Sequence, residues 1–184
     1  MKKAIVAVFA MLLLVIAVAD AQTKLEKKNL IGLNPLGLLF KIYSGEYGRF
    51  LGEGEAEINI PFFYWAPLDE LTIFGIGGKY RMYKDKNGEG IFYGGGVSLG
   101  SVSWDYDTFN FSTGQVTTES VTAVVVGPEV EGGYRWRWES GFTLAPSLTL
   151  GYFFGDVKAS DGSIPATNPS GFQWGIGLGF AYMF

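Results

Sequence analysis

Residues 170–184 read SGFQWGIGLGFAYMF, and the two alternating sets within them differ sharply. Phe172, Trp174, Ile176, Leu178, Phe180, Tyr182 and Phe184 are all large and apolar. Between them, Gln173, Gly175, Gly177, Gly179, Ala181 and Met183 are mostly small. Successive side chains of a strand point to opposite faces, so one face is a wall of bulk and the other is nearly bare. A strand of a soluble sheet hides its greasy face and turns a polar one to water. A strand of a narrow barrel in lipid does the reverse, with bulk outward and small groups towards a crowded interior.

Working outward, the rest of the chain agrees. It has 184 residues, enough for one domain with a core. Glycine is frequent at 27 residues and aromatics make up 16%, which suits tight turns, interfacial aromatics and a lumen of small side chains. The first residues form a separate module. Lys2 and Lys3 precede an apolar run from Ala4 to Val18, and Ala19-Asp20-Ala21 follows as a small-residue cleavage site. The expectation is a signal peptide over 1–21 and a barrel domain over 22–184. The apolar run is short for a retained membrane anchor.

Removing Lys2, Lys3 and Asp20 from 14 basic and 18 acidic residues leaves 12 against 17. A mildly acidic chain argues against nucleic acid and against a polybasic membrane-surface binder. The absence of cysteine excludes disulfides, thiol chemistry and a lipid-bearing cysteine.

After Gln22, period-2 alternation recurs and helical periodicity does not. Eight antiparallel strands are expected, as an up-and-down barrel. The first runs over 29–39, with Asn34-Pro35 as a bulge or strand-end irregularity, and the second over 41–51. The third covers 55–64, with Glu55, Glu57 and Asn59 on one face. The fourth, over 71–83, sets Lys79 and Arg81 among glycines opposite Phe74, Ile76, Tyr80 and Met82. The fifth covers 90–104. The sixth, over 120–136, sets Glu129, Glu131, Gly133 and Arg135 opposite Val124, Val126, Val130, Tyr134 and Trp136. The seventh starts at Phe142, and the eighth is the opening stretch. Turns at 52–54, 84–89 (with its Asn87-Gly88 hairpin signal) and 138–141 then share one end. Loops at 65–70, 105–119 and 155–169 share the other. With a periplasmic N-terminus, the short turns are periplasmic and the long loops external, as is the rule for outer-membrane barrels.

The chain resembles small outer-membrane barrels of the OmpA/OmpX-like superfamily. More narrowly, it is similar to an uncharacterised eight-stranded family through Asn34-Pro35-Leu36-Gly37-Leu38-Leu39, Gly78-Lys79-Tyr80-Arg81-Met82-Tyr83, Phe92-Tyr93-Gly94-Gly95 and Gly133-Tyr134-Arg135-Trp136 with Gly141-Phe142. The likeness covers about the whole chain after the leader. It implies a place in the outer membrane of a Gram-negative-type bacterium. It also implies that Phe184, with Tyr182 and Phe180, resembles the signal by which barrel-assembly machinery recognises its clients. No motif in it is catalytic.

The chain has no histidine. Acyl-transfer and hydrolytic chemistry that leans on a histidine base, and the usual transition-metal sites, are therefore closed to it. The expectation is no enzyme, no cofactor and no metal. Alternation places Glu55, Glu57, Lys79, Arg81, Glu129, Glu131 and Arg135 inward. They are read as a network of ion pairs filling the lumen, with a selective constriction as the functional alternative. The tryptophans and most tyrosines, Tyr83 among them, are read as girdles at the two interfaces. Residues 105–119 can extend strands five and six as a protruding hairpin with a pairing edge, or form a surface loop without a fixed partner.

The resulting expectation is a monomeric barrel with a structural or surface-interaction role, in contact with lipid and displaying loops 105–119 and 155–169 to a possible surface partner. The alternative is a narrow pore, or a transport protein for small hydrophobic molecules. A soluble, lipocalin-like barrel would need a polar exterior, the reverse of the alternation seen.

Overall fold

The computed structural model describes residues 27–110, 114–159 and 170–184. The expected leader over 1–21 and its cleavage point lie outside the described residues. Eight strands follow in chain order: β1 (Asn29–Leu33), β2 (Ile42–Leu51), β3 (Ala56–Leu68), β4 (Leu71–Tyr83), β5 (Gly90–Asn110), β6 (Gln115–Arg137), β7 (Phe142–Ala159) and β8 (Gly171–Met183). A single helical turn, α1 (Pro35–Leu38), joins β1 to β2. Each strand pairs antiparallel with the next, and β8 pairs back onto β1 from Leu30↔Met183 to Leu33↔Phe180. The ring closes with reciprocal 2.9 Å backbone hydrogen bonds between Asn29 and Phe184. The expected eight-stranded up-and-down barrel is the observed fold. No helix among the described residues is long and apolar enough to cross a membrane, a fact that bears on helices alone.

The turns fall where turn chemistry puts them. Within the 84–89 connection from β4 to β5, Asn87 and Gly88 both take the left-handed conformation (φ 68° and 67°), which asparagine and glycine adopt at least cost. Gly54 (φ +90°) lies against that turn, and a Cβ there would meet Asn87 Cα at 2.7 Å. Asn87 N donates to Glu53 O at 2.8 Å and Gly88 N to Gly54 O at 3.0 Å, so two turns are tied together.

Several strand boundaries differ from expectation. β1 stops at Leu33 rather than Leu39, because Pro35 offers no N–H to a ladder and disfavours what precedes it. The chain then coils through α1, with Gly37 N donating to Asn34 Oδ1 at 3.3 Å. β3 begins at Ala56, after a turn that includes Glu55, and runs on to Leu68, so the expected 65–70 loop shrinks to Asp69 and Glu70. Residues 105–110 and 115–120 are paired strand, from Asp105↔Ser120 to Asn110↔Gln115, which is the protruding hairpin. Pairing with β4 reaches Trp104 and pairing with β7 reaches Val121, so among the described residues the ribbon projects beyond its neighbours. Cross-strand hydrogen bonds from Thr118 to Asp107 (2.8 Å) and from Ser120 to Asp105 (2.6 Å) brace it. β7 extends to Ala159, and residues 160–169 lie outside those described.

The outward rows are apolar: Tyr93, Val97 and Leu99 on β5, Val124, Val126 and Val130 on β6, Phe172, Trp174 and Ile176 on β8 are all exposed. The apolar core is inside and at the turn end, formed by Leu30, Phe50, Tyr83, Phe92, Ala145, Ala181 and Met183.

Candidate functional site

Above that apolar plug lies a layer of charge. Glu46 from β2, Glu57 and Asn59 from β3, Lys79 and Arg81 from β4, and Glu129, Glu131 and Arg135 from β6 all point inward. They do so because period-2 alternation puts them opposite the outward rows. Arg81 spans the barrel. Its Nε donates to Glu131 Oε2 at 2.9 Å, its Nη2 to Glu131 Oε1 at 3.1 Å, and its Nη1 to Glu46 Oε2 at 2.9 Å. The fork on Glu131 is the bidentate geometry a guanidinium favours. Arg135 Nη1 donates to Glu57 Oε2 at 2.8 Å, and the Tyr83 hydroxyl donates to the same oxygen. Lys79 lies 3.2 Å from Glu129 and 3.4 Å from Glu131.

Four carboxylates therefore meet three cations, and nearly every charge has a partner. Removing charges from water is costly unless they are paired and hydrogen-bonded, so the layer holds together as a unit or not at all. Arg135 Nε has no hydrogen-bond partner. Instead the guanidinium lies 5.7, 5.4 and 5.8 Å from the ring centres of Phe50, Tyr83 and Phe92, where aromatic faces offset part of its desolvation.

Of the residues expected in this network, Glu57, Lys79, Arg81, Glu129, Glu131 and Arg135 are brought together. Glu55 is not. It sits in the 52–55 turn, exposed, with Lys86 Nζ 3.9 Å away, because alternation has no meaning before the strand begins. Tyr83 is a second correction: it is buried in the plug and hydrogen-bonded to Glu57, not part of a girdle. Two members were not foreseen as part of it. Glu46 was legible in principle, since Ser44, Glu46 and Gly48 alternate with Tyr43 and Tyr47. Asn59, placed on the Glu57 face, donates to Glu46 at 2.8 Å and Glu57 at 2.9 Å. At the turn end, Lys86 pairs with Glu53 in the open, which holds the Glu53 carboxyl below its ordinary range and raises the Lys86 ammonium.

Phe180 and Tyr182 face outward on β8, and Phe184 closes the ring against Asn29. Among the described residues no group of three or more His, Cys, Asp or Glu is arranged for a metal ion.

On the loop side of the charge layer the lumen is open. A cavity of about 560 Å³ has Lys79, Arg81, Glu46, Glu129 and Glu131 as its floor. Ser98, whose hydroxyl donates to Glu129 at 2.6 Å, stands at the level of the floor. Gly75, Gly77, Gly151, Gly175, Gly177 and Gly179 leave space along its walls, and Phe63, Ile73, Val125 and Phe153 supply its apolar lining. The barrel is thus a cup, plugged at the turn end and hollow at the loop end. Compared with models of known protein families, with curated proteins and with solved structures, the chain finds no match.

Proposed function

We propose that the chain is an integral outer-membrane barrel of a Gram-negative-type bacterium. In this reading it is delivered by the leader over 1–21, assembled by the barrel machinery and acts as a monomer, with a structural or surface-interaction role. One observation carries this reading. The exposed rows are apolar while the buried interior holds Glu57, Arg81, Glu131 and Arg135, an inversion of what water demands and what lipid permits. Its mechanism is physical: the braced lumen keeps the barrel rigid, and the ribbon of residues 105–110 and 115–120 stands clear of the membrane to present polar edges. The narrow-pore alternative draws no support from the turn end, where Leu30, Phe50, Tyr83, Phe92 and Met183 fill the section.

Because the chain lacks cysteine, single-cysteine labelling tests the arrangement cleanly. Intact cells carrying Thr117→Cys should react with a membrane-impermeant maleimide. Cells carrying Lys86→Cys should react only after the outer membrane is permeabilised. The opposite pattern, or equal reaction at both positions, would end this reading.

A further inference from the structure

The ring closes at its turn end, but the early stop of β1 leaves part of β8 without a second strand among the described residues. β1 pairs with β8 only over Phe180–Met183, so residues 171–179 of β8 have β7 on one side and, among the described residues, no strand on the other. At about 3.4 Å per residue this edge is roughly 30 Å long. On the facing bank Asn34 N donates to Ser44 O, after which the chain turns away through α1. The cavity reaches both banks, being lined by Gln173 to Gly179 on one and by Gly32, Leu33, Asn34 and Ser44 on the other.

We infer that this seam is a lateral slot through which the hydrocarbon chain of a single-chain amphiphile passes from the membrane into the cavity. The inference rests on the membrane-spanning reading. An unpaired edge facing lipid is costly, and irregular backbone at membrane depth is tolerated where it lines a water-filled cavity, as this edge does along the loop-side lumen. Below Gln173 the edge strand carries only glycine on its inner side: a Cβ at Gly175 would meet nothing within 4 Å, and one at Gly177 only the Ser147 hydroxyl. The rim towards lipid is apolar, with Trp174 68%, Ile176 79% and Leu33 59% exposed. Inside, Phe63, Ile73, Val125 and Phe153 suit a hydrocarbon chain, and the volume falls in the ordinary range for ligand cavities, about 300–1,000 Å³. The floor sets the head group. Lys79 is already held by Glu129 and Glu131, and Arg81 by Glu46 and Glu131, so a charged head would have to break a pair. A neutral, hydroxyl-bearing head meets Ser44, Ser98, Ser147 and Thr149 without that cost.

Alternation makes the test direct. The full barrel is folded into phosphatidylcholine vesicles containing a monoacylglycerol with a diazirine on its acyl chain, irradiated, and mapped by peptide mass spectrometry. Adducts are expected on the inward Val125 and Phe153 as well as on the outward Val124, Val126 and Phe154. Gly175→Phe, which fills open space, should lower the inward adducts several-fold and leave the outward ones unchanged. Adducts confined to the outward row would overturn the slot while leaving the membrane barrel standing. Adducts on neither row would remove the membrane reading, and the slot with it.

Discussion

Arg135 on β6 and Glu57 on β3 meet at 2.8 Å across the barrel interior, both wholly buried. Neither strand neighbours the other, so this contact ties the two sides of the ring together above the apolar plug. Removing Arg135 takes from the buried Glu57 its nearest cation and leaves it Arg81 at 3.5 Å, the Asn59 amide and the Tyr83 hydroxyl. Removing Glu57 would leave Arg135 among Phe50, Tyr83 and Phe92. Arg135→Met should therefore cost about 3–5 kcal/mol. Arg135→Met combined with Glu57→Leu should recover much of that loss, because two apolar groups leave fewer unpaired charges. Urea unfolding from vesicles reads both. A single mutant as stable as the parent would show that the pair does not brace the barrel.

Glycines on the inner wall differ in what they permit. A Cβ at Gly96 would meet Gly78 O at 2.1 Å and Lys79 Cα at 2.8 Å, both backbone atoms that cannot step aside. Gly96→Ala should cost about 1–3 kcal/mol as overpacking does. Gly175→Ala, into open space, should stay within about 0.5 kcal/mol of the parent. The same unfolding measurement separates them, and equal effects would contradict the packing described.

Val126 lies on an outward row and is 45% exposed. In water, Val126→Arg would be close to neutral. In lipid it should destabilise by about 2–4 kcal/mol if the residue lies near the midplane. Folding yield in vesicles and the urea midpoint both report it.

The Glu53–Lys86 pair is open to solvent, so its effect on stability is small and weakened by salt. Its sign is fixed. The Glu53 carboxyl is depressed in the folded chain, so its contribution is present above the ordinary carboxylate pKa and fades as pH falls through the lowered value. The Lys86 ammonium is raised, so its part fades only as pH rises through the raised value. Lys86→Met should flatten the acid limb of a stability profile slightly at low salt and change nothing at high salt.

How much of this could be read from the chain follows from the range of each signal. β8 and β6 were legible because strict alternation of bulk against glycine or charge is a local pattern, and Asn87-Gly88 because a turn is local. The length of β1 was not. Its apolar residues continue past Asn34 to Leu39, and the proline that ends the strand also fits a bulge. The extent of β5 and β6 was open for a different reason: Asp105 with Ser120 and Asp107 with Thr118 support the ribbon only as pairs across strands. Glu55 lies in the turn before β3, where alternation has no meaning, whereas Tyr83 keeps the inward phase of Lys79 and Arg81 and was misplaced only because a strand-end tyrosine also fits a girdle. The cavity and seam depend on where neighbouring strands stop, which no single strand records.

The membrane-spanning barrel is the central claim, and a heat-modifiability gel on the outer-membrane fraction tests it most directly. Unboiled in mild detergent, the closed and internally braced barrel should run at a different mobility from the boiled chain, and should be found with the membranes. A soluble chain whose mobility boiling leaves unchanged would contradict the account.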